Sequence, residues 1–431
     1  MKHEHYVYQH LPLRTERTRL TNGLQIITAN YRLRRELLCD DDIVTIMIRF
    51  DCGSVDDIDR PGGAHFLEHM LFEGPSRDGV HPKLRHLYQR GIEVDGCTGR
   101  RDTQYSITGW RDDLNKLFLG LVSMCFEYDC NDNDLDLERG VIIQEMRERD
   151  PEEDFMLWCD QVRFPRHGHL HYMVDGTEES VSGITSVWLK KIHNAYYAPP
   201  HASVIVVGDI EHNEIVDMVA SNPLLKEDEK DEEWQKVESV APWKESVHPE
   251  RLWTEHHTDK IRSRILFTFP RQDDVKDHSE MIFADLLLGH FPFGLFTREV
   301  RVRHRIAYGV QIRATPLPRL ATEIEVKTDP EHFDLVSEML VAAVERLCRG
   351  DIAAETWDTI RNGYRVGSML GVDCTTSTCW AEWLADGLLS NDLKDRNVNA
   401  QIRALTPQQV AQAVLPWFHP KSFGTIQVYG Y

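Results

Sequence analysis

The sequence predicts an α+β fold built as two similar domains, on three observations. Short β-branched runs alternate with longer helical patterns along the first half of the chain. Residues 184–210 laid on 405–431 without a gap bring Thr185 onto Thr406, Tyr197 onto Phe418, Pro199 onto Pro420, Ile205 onto Ile426 and Val207 onto Val428. Both copies read as a helix, an aromatic pair, a proline and a strand, and their offset of 221 residues (406 − 185) is about half of the 431-residue chain. Between the copies, residues 226–233 read Lys-Glu-Asp-Glu-Lys-Asp-Glu-Glu, a charged run that suits a solvated linker. The expected division is 1–225 for an N-terminal domain, 226–249 for an acidic linker and 250–431 for a homologous C-terminal domain.

The elements follow in order. Asn22-Gly23 between the apolar flanks of residues 20–27 is a turn of the kind that joins two strands. Residues 43–50 are nearly continuous in β-branched and apolar side chains, which predicts a well-buried strand. Gly53, Ser54 and the acids Asp56, Asp57 and Asp59 form a loop; Pro61 and two glycines then lead into a helix that Gly74-Pro75 ends. A helix around 82–90, a strand at 103–108 and a long helix at 114–128 come next. The segment 134–146 starts among acids, which complement a helix N-terminus, and stops before Pro151.

The helix after Gly62-Gly63 carries the chemistry. His65 and His69 are four residues apart, so both imidazoles project from one face and can reach a single Zn²⁺ at about 2.0–2.1 Å. Glu68 precedes the second histidine, the inverted order His-x-x-Glu-His, and stands where it can take a proton from the attacking water and pass it to the leaving amine. With 21 histidines in the chain, a chance match of this pattern on a solvated helix is common, so the third ligand matters. Glu138 and Glu145 are seven residues apart and share a helix face, and either carboxylate can complete the set.

Composition excludes other classes. A net charge of −21 is unsuited to nucleic acid and favours basic or neutral partners. No apolar run is long enough to span a membrane, and the first residues carry no secretory apolar region, which predicts a cytoplasmic location. The arginines among the first 40 residues suit a mitochondrial presequence, but the interspersed acids and prolines do not. Nine scattered cysteines with no Cys-x-x-Cys pair read as reduced thiols.

The residues Gly53-Ser54, 63–72 and Gly74 resemble the active-site segment of the pitrilysin/insulinase family of zinc peptidases, in its short two-domain branch of mitochondrial and bacterial processing peptidases. The resemblance extends to Gly176-Thr177-Glu178-Glu179-Ser180-Val181, Tyr196-Tyr197-Ala198-Pro199 and Val206-Val207-Gly208-Asp209. It implies that each domain is a mostly antiparallel or mixed sheet with helices packed on it. The family's third ligand lies about 76 residues past the second histidine in an Arg-x-Val-Ile-x-x-Glu context, and Glu145, 76 residues on (145 − 69) within Arg139-Gly140-Val141-Ile142-Ile143-Gln144-Glu145, fits it. That leaves Glu138 as the acid that orients a ligand histidine.

Arg301 and Tyr308 match the family's Arg/Tyr pair in the C-terminal domain, which implies that Tyr308 hydrogen-bonds the developing oxyanion and Arg301 holds substrate main chain. Where the family has an Asn-Ala-x-Thr edge strand that pairs with substrate, this chain has Asp95-Gly96-Cys97-Thr98; main-chain pairing survives that change, and Asp95 adds charge. The histidines of 166–171, His167, His169 and His171, read as an exposed loop, with a second metal site as the rarer alternative.

The expected function is a zinc endopeptidase with one Zn²⁺ per chain, taking peptides in extended form. The resemblance implies a chamber of four such domains, hence a homodimer, or a heterodimer with a related subunit. The alternatives are a non-catalytic core or peptide-binding subunit of the same fold, and a dedicated leader peptidase working with a degenerate partner.

Overall fold

The computed structural model describes residues 4–8, 13–31, 42–57, 60–73, 81–128, 132–149, 172–226, 252–255, 263–270, 278–315, 321–370, 376–389, 398–416, 418 and 423–429. They fall into two compact units: residues up to 226 with 376–389, and residues 252–370 with 398–429. The histidines 167, 169 and 171, and the expected acidic linker beyond Lys226, lie outside the described residues.

The first unit is built on a seven-stranded sheet. In chain order its strands are β1 (Glu4–Tyr8), β2 (Arg14–Arg19), β3 (Gln25–Asn30), β4 (Ile43–Phe50), β5 (Glu93–Thr98), β6 (Thr103–Trp110) and β7 (Ala202–Gly208). Their spatial order is β1-β2-β3-β7-β4-β6-β5, so β5 is an edge. The Asn22-Gly23 turn joins β2 to β3 as expected, with Gly23 at φ +88° where a side chain would be strained. The buried strand predicted at 43–50 is β4.

The second sheet orders β8 (Leu252–Glu255), β9 (Arg264–Pro270), β10 (Ala307–Thr315), β11 (Ala321–Thr328) and β12 (Gly424–Tyr429) as β10-β11-β9-β12-β8. This repeats five strands of the first sheet. β7 and β12 each lie between one parallel neighbour, β3 or β8, and one antiparallel neighbour, β4 or β9. Both sheets then end in an antiparallel pair, β6-β5 and β11-β10. The duplication read from the sequence is visible locally as well. Thr185 and Thr406, matched in the repeat, each cap a helix, accepting backbone N–H bonds from Trp188 and Gln409.

The helices α1 (Gly63–Glu73), α2 (Arg85–Tyr88), α3 (Leu114–Phe126) and α4 (Asp132–Arg147) lie with helix Ser186–Tyr196 on one side of the first core. The other face of that sheet is apolar too, since Ile27, Ala29, Met47, Ile205 and Val207 are fully or nearly buried. Helix Ser377–Leu389 covers it with Trp380, Ala381, Leu384 and Ala385. The expected C-terminal domain, 250–431, therefore gives one helix to the first unit, because a sheet apolar on both faces needs cover on both.

Two histidines of the first unit are buried neutral. His212 lies between Thr18 Oγ1 and Thr28 Oγ1, each at 2.8 Å, and burial lowers its pKa. Burial, with the Lys83 charge, takes His81 down to about 4. A folded-state pKa below the unfolded value means that the unfolded chain binds more protons once the pH falls below about 6.5, so stability is lost from there downward. Followed by NMR, the rings of His81 and His212 are expected to keep the shifts of neutral imidazole as the pH passes down through about 6.5, where a free imidazole is half protonated. Protonation of both rings at that pH would contradict neutral burial.

Candidate metal centre

The start of α1 is fixed by close backbone packing and by an acid. Gly62 has φ +91°, and a Cβ there would lie 2.3 Å from the Asp175 carbonyl oxygen; a Cβ on Gly63 would lie 2.2 Å from the Trp188 ring. The Asp57 carboxylate accepts the Gly62 N–H at 2.8 Å and the Ala64 N–H at 2.7 Å, taking donors that a helix start leaves free. Asp57 is fully enclosed, and burial pushes its pKa well up against those two hydrogen bonds. Sequence reading placed Asp57 only in a loop; an acid shortly before a helix-initiating Gly-Gly was the available signal.

Along α1, Phe66, Leu67, Met70 and Leu71 are buried in the core. The 3.6-residue period then puts His65, Glu68 and His69 on the opposite side, where each is only partly or barely exposed to solvent. α4 runs beside α1, anchored by buried Leu135 and Ile142, and brings Glu138 and Glu145 to the same place.

His65, His69 and Glu145 form one group whose ligand atoms all lie within 4.8 Å of one another, the only such group among the described residues. Glu145 Oε2 is 3.8 Å from His65 Nε2 and 3.3 Å from His69 Nε2. Glu138, which was a rival for third ligand, sits on the far side of the ring: its Oε1 is 2.7 Å from His69 Nδ1. That bond fixes the tautomer with the proton on Nδ1 and leaves Nε2 to face Glu145. Two imidazole nitrogens and one carboxylate are the protein donor set of a catalytic Zn²⁺, which takes water or substrate as its fourth ligand.

Electrostatics agree with that use. Burial takes His65 down to about 3, helped by His69 and Arg149, so its imidazole is neutral and able to donate to a metal. For His69, burial works against the charged form, but the Glu138 hydrogen bond and the charges of Glu68, Glu138 and Glu145 outweigh it and raise the pKa. Glu68 is raised by burial, against the pull of Thr98 and His69. A carboxyl raised in this way is a better proton acceptor at neutral pH.

β5 carries the expected substrate edge, Asp95 to Thr98, and among the described residues its outer side has no partner strand. Asp95 and Cys97 are exposed, whereas Thr98 turns inward and its hydroxyl donates to Glu68 Oε2 at 2.7 Å. In the second unit, Arg301 and Tyr308 are also brought together. The Arg301 guanidinium lies 4.5 Å from the Tyr308 ring centre and 3.9 Å from that of Phe291, so the cation lies over two rings. Tyr308 is 85% exposed and is the second residue of the edge strand β10. Phe291 was not anticipated as the second ring, since nothing in its spacing links it to Arg301.

Comparison with known proteins gives matching results. The model described as insulinase (peptidase family M16) matches residues 38–159, and the one described as peptidase M16 inactive domain matches residues 184–364. An uncharacterized zinc protease of Mycobacterium leprae is 29% identical over 206 residues, 47% of this chain and 44% of its own length. The matched stretch thus spans less than half of that relative. An uncharacterized zinc protease of Bacillus subtilis is 22% identical over 365 residues, 83% of this chain and 84% of its own. The crystal structure of a protease from Helicobacter pylori shares the fold with a TM-score of 0.75 at 20% identity, covering 97% of this chain and 99% of that one.

Proposed function

This chain belongs to the pitrilysin/insulinase (M16) peptidase family, and on that premise we propose that it is a zinc-dependent endopeptidase that cleaves unstructured peptides. One observation carries the reading: His65, His69 and Glu145 converge within 4.8 Å, with Glu68 on the same helix face and held by Thr98. The description of the second family model as an inactive domain fits a C-terminal half in which, among the described residues, no such group occurs.

The residues divide the work as follows. When bound, Zn²⁺ lowers the pKa of water toward ~7 and polarises the scissile carbonyl. His65, His69 and Glu145 hold it, and Glu138 keeps His69 in the donating tautomer. Glu68 accepts the proton of the attacking water and delivers it to the leaving amine. The open edge of β5, residues 95–98, takes the peptide as an added strand, so that main-chain pairing presents an extended substrate and a folded one is refused. Tyr308 and Arg301 complete the site from the second unit of a partner copy, Tyr308 donating to the developing oxyanion and Arg301 holding substrate main chain. The working form is therefore a dimer, either of this chain or with a related subunit. Among the described residues no helix is long and apolar enough to cross a membrane, and we place the enzyme in the cytoplasm.

The test is zinc content and cleavage of a mixed library of unstructured peptides, with the mass of the particle in solution recorded. One zinc per chain with cleavage supports the reading. Absence of bound zinc after incubation with excess metal would return the alternative, a non-catalytic core subunit. Arg301→Ala or Tyr308→Phe is expected to lower kcat by about 10- to 100-fold with zinc content unchanged. Zinc loss in either variant, or unchanged turnover in both, would remove the pair from the site.

A further inference from the structure

The edge strand β5 has two sides with different tasks. Glu93, Asp95 and Cys97 alternate outward and are exposed, while Val94, Gly96 and Thr98 face inward. The strand was expected to present Thr98 to the substrate. Its side chain faces the general base instead. The Thr98 hydroxyl donates to Glu68 Oε2 at 2.7 Å, and with Thr98 9% and Glu68 8% exposed, little water reaches the bond to compete for it.

The second carboxylate oxygen is bounded by the same strand. A Cβ on Gly96 would come 3.0 Å from Glu68 Oε1 and 2.0 Å from the Phe72 ring. The Gly96 backbone and the Phe72 ring therefore close one side of the carboxylate, while Thr98 pins the other oxygen. A carboxyl group has a broad, nearly free terminal torsion unless something fixes it.

We propose that Thr98 is a positioning residue for Glu68, so that the strand that receives the peptide is also the strand that aims the base. The inference rests on the peptidase reading given above. β5 is paired with β6 along its length, so the Thr98 hydroxyl aims the carboxylate before a peptide arrives, and a peptide added to the outer edge meets a base already in its reactive orientation, where a small misplacement is costly.

The experiment compares Thr98→Val, which keeps the β-branched shape and removes the donor, with Thr98→Ser, which keeps the hydroxyl. Each is measured for zinc content, for kcat and KM on an unstructured peptide that the wild type cleaves, and by crystallography for the orientation of Glu68. Thr98→Val is expected to lose about 10- to 100-fold in kcat, with KM within about twofold and zinc unchanged, and to show a rotated Glu68 carboxylate. Thr98→Ser is expected to restore kcat to within about threefold of wild type and to keep the carboxylate in place. A rise in KM alone, an equal loss in both variants, or an unmoved Glu68 in Thr98→Val would overturn the proposal. If wild type and Glu68→Gln are equally inactive on all peptides, the peptidase reading fails, and the two crystal structures still decide whether Thr98 holds the carboxylate.

Discussion

Glu68→Gln is expected to reduce peptide cleavage by about 10²- to 10⁴-fold while the protein still binds one zinc per chain. The substitution is close to isosteric. The amide oxygen of the replacement side chain can still accept the Thr98 hydroxyl, so the helix and the edge strand keep their contact. What the variant loses is a group able to take a proton from water and give it up again at the amine. Because Glu68 is not among the converging ligand atoms, its removal leaves His65, His69 and Glu145 as they are. Metal analysis and steady-state kinetics on the same samples separate the two roles. Retention of more than about a tenth of wild-type activity would show that another group is the base. Loss of zinc would show that Glu68 is itself a ligand or a support of one.

Much of this site was legible in the sequence because its parts are local. The four-residue spacing of His65 and His69 fixes their common face, and the apolar residues Phe66, Leu67, Met70 and Leu71 fix which face is turned away from the core. The repeat containing Thr185 and Thr406 predicted two related domains, and the two sheets share the order of five strands. Relations that depend on tertiary contact were not legible. Glu138 and Glu145 share a helix face, and residue spacing alone does not say which meets the metal and which meets His69 Nδ1. The ring of Phe291 under Arg301 and the inward turn of Thr98 likewise follow from packing between segments far apart in the chain. Helix Ser377–Leu389 shows the same limit at the scale of a domain: its sequence position points to the second half, and the apolar outer face of the first sheet claims it.

Removing the metal by mutation should distinguish the two glutamates that residue spacing alone left as alternatives. Glu145→Gln is expected to weaken zinc binding by more than about 100-fold with little change in melting temperature, since its side chain is 53% exposed and loses few contacts when replaced. Glu138→Gln is expected to cost less, about 10- to 100-fold, because it acts through the orientation of His69 and does not touch the metal. The pH dependence sharpens the contrast. In the metal-free site His69 has a raised pKa, so protons compete with zinc at its ring and wild-type affinity should weaken as the pH falls through the neutral range. Glu138→Gln removes a hydrogen bond and a charge that favour the protonated ring. The competition then sets in at lower pH, and the deficit of this variant should narrow as the solution is made more acidic. Glu145→Gln also removes a negative charge near His69, but the ligand it deletes is missing at every pH, so a large deficit should persist throughout. Zinc titrations with a competing chelator at pH 6, 7 and 8 measure all three proteins. Equal and pH-independent losses in the two variants would mean that Glu138 does not act through His69, and a larger loss for Glu138→Gln than for Glu145→Gln would exchange their roles.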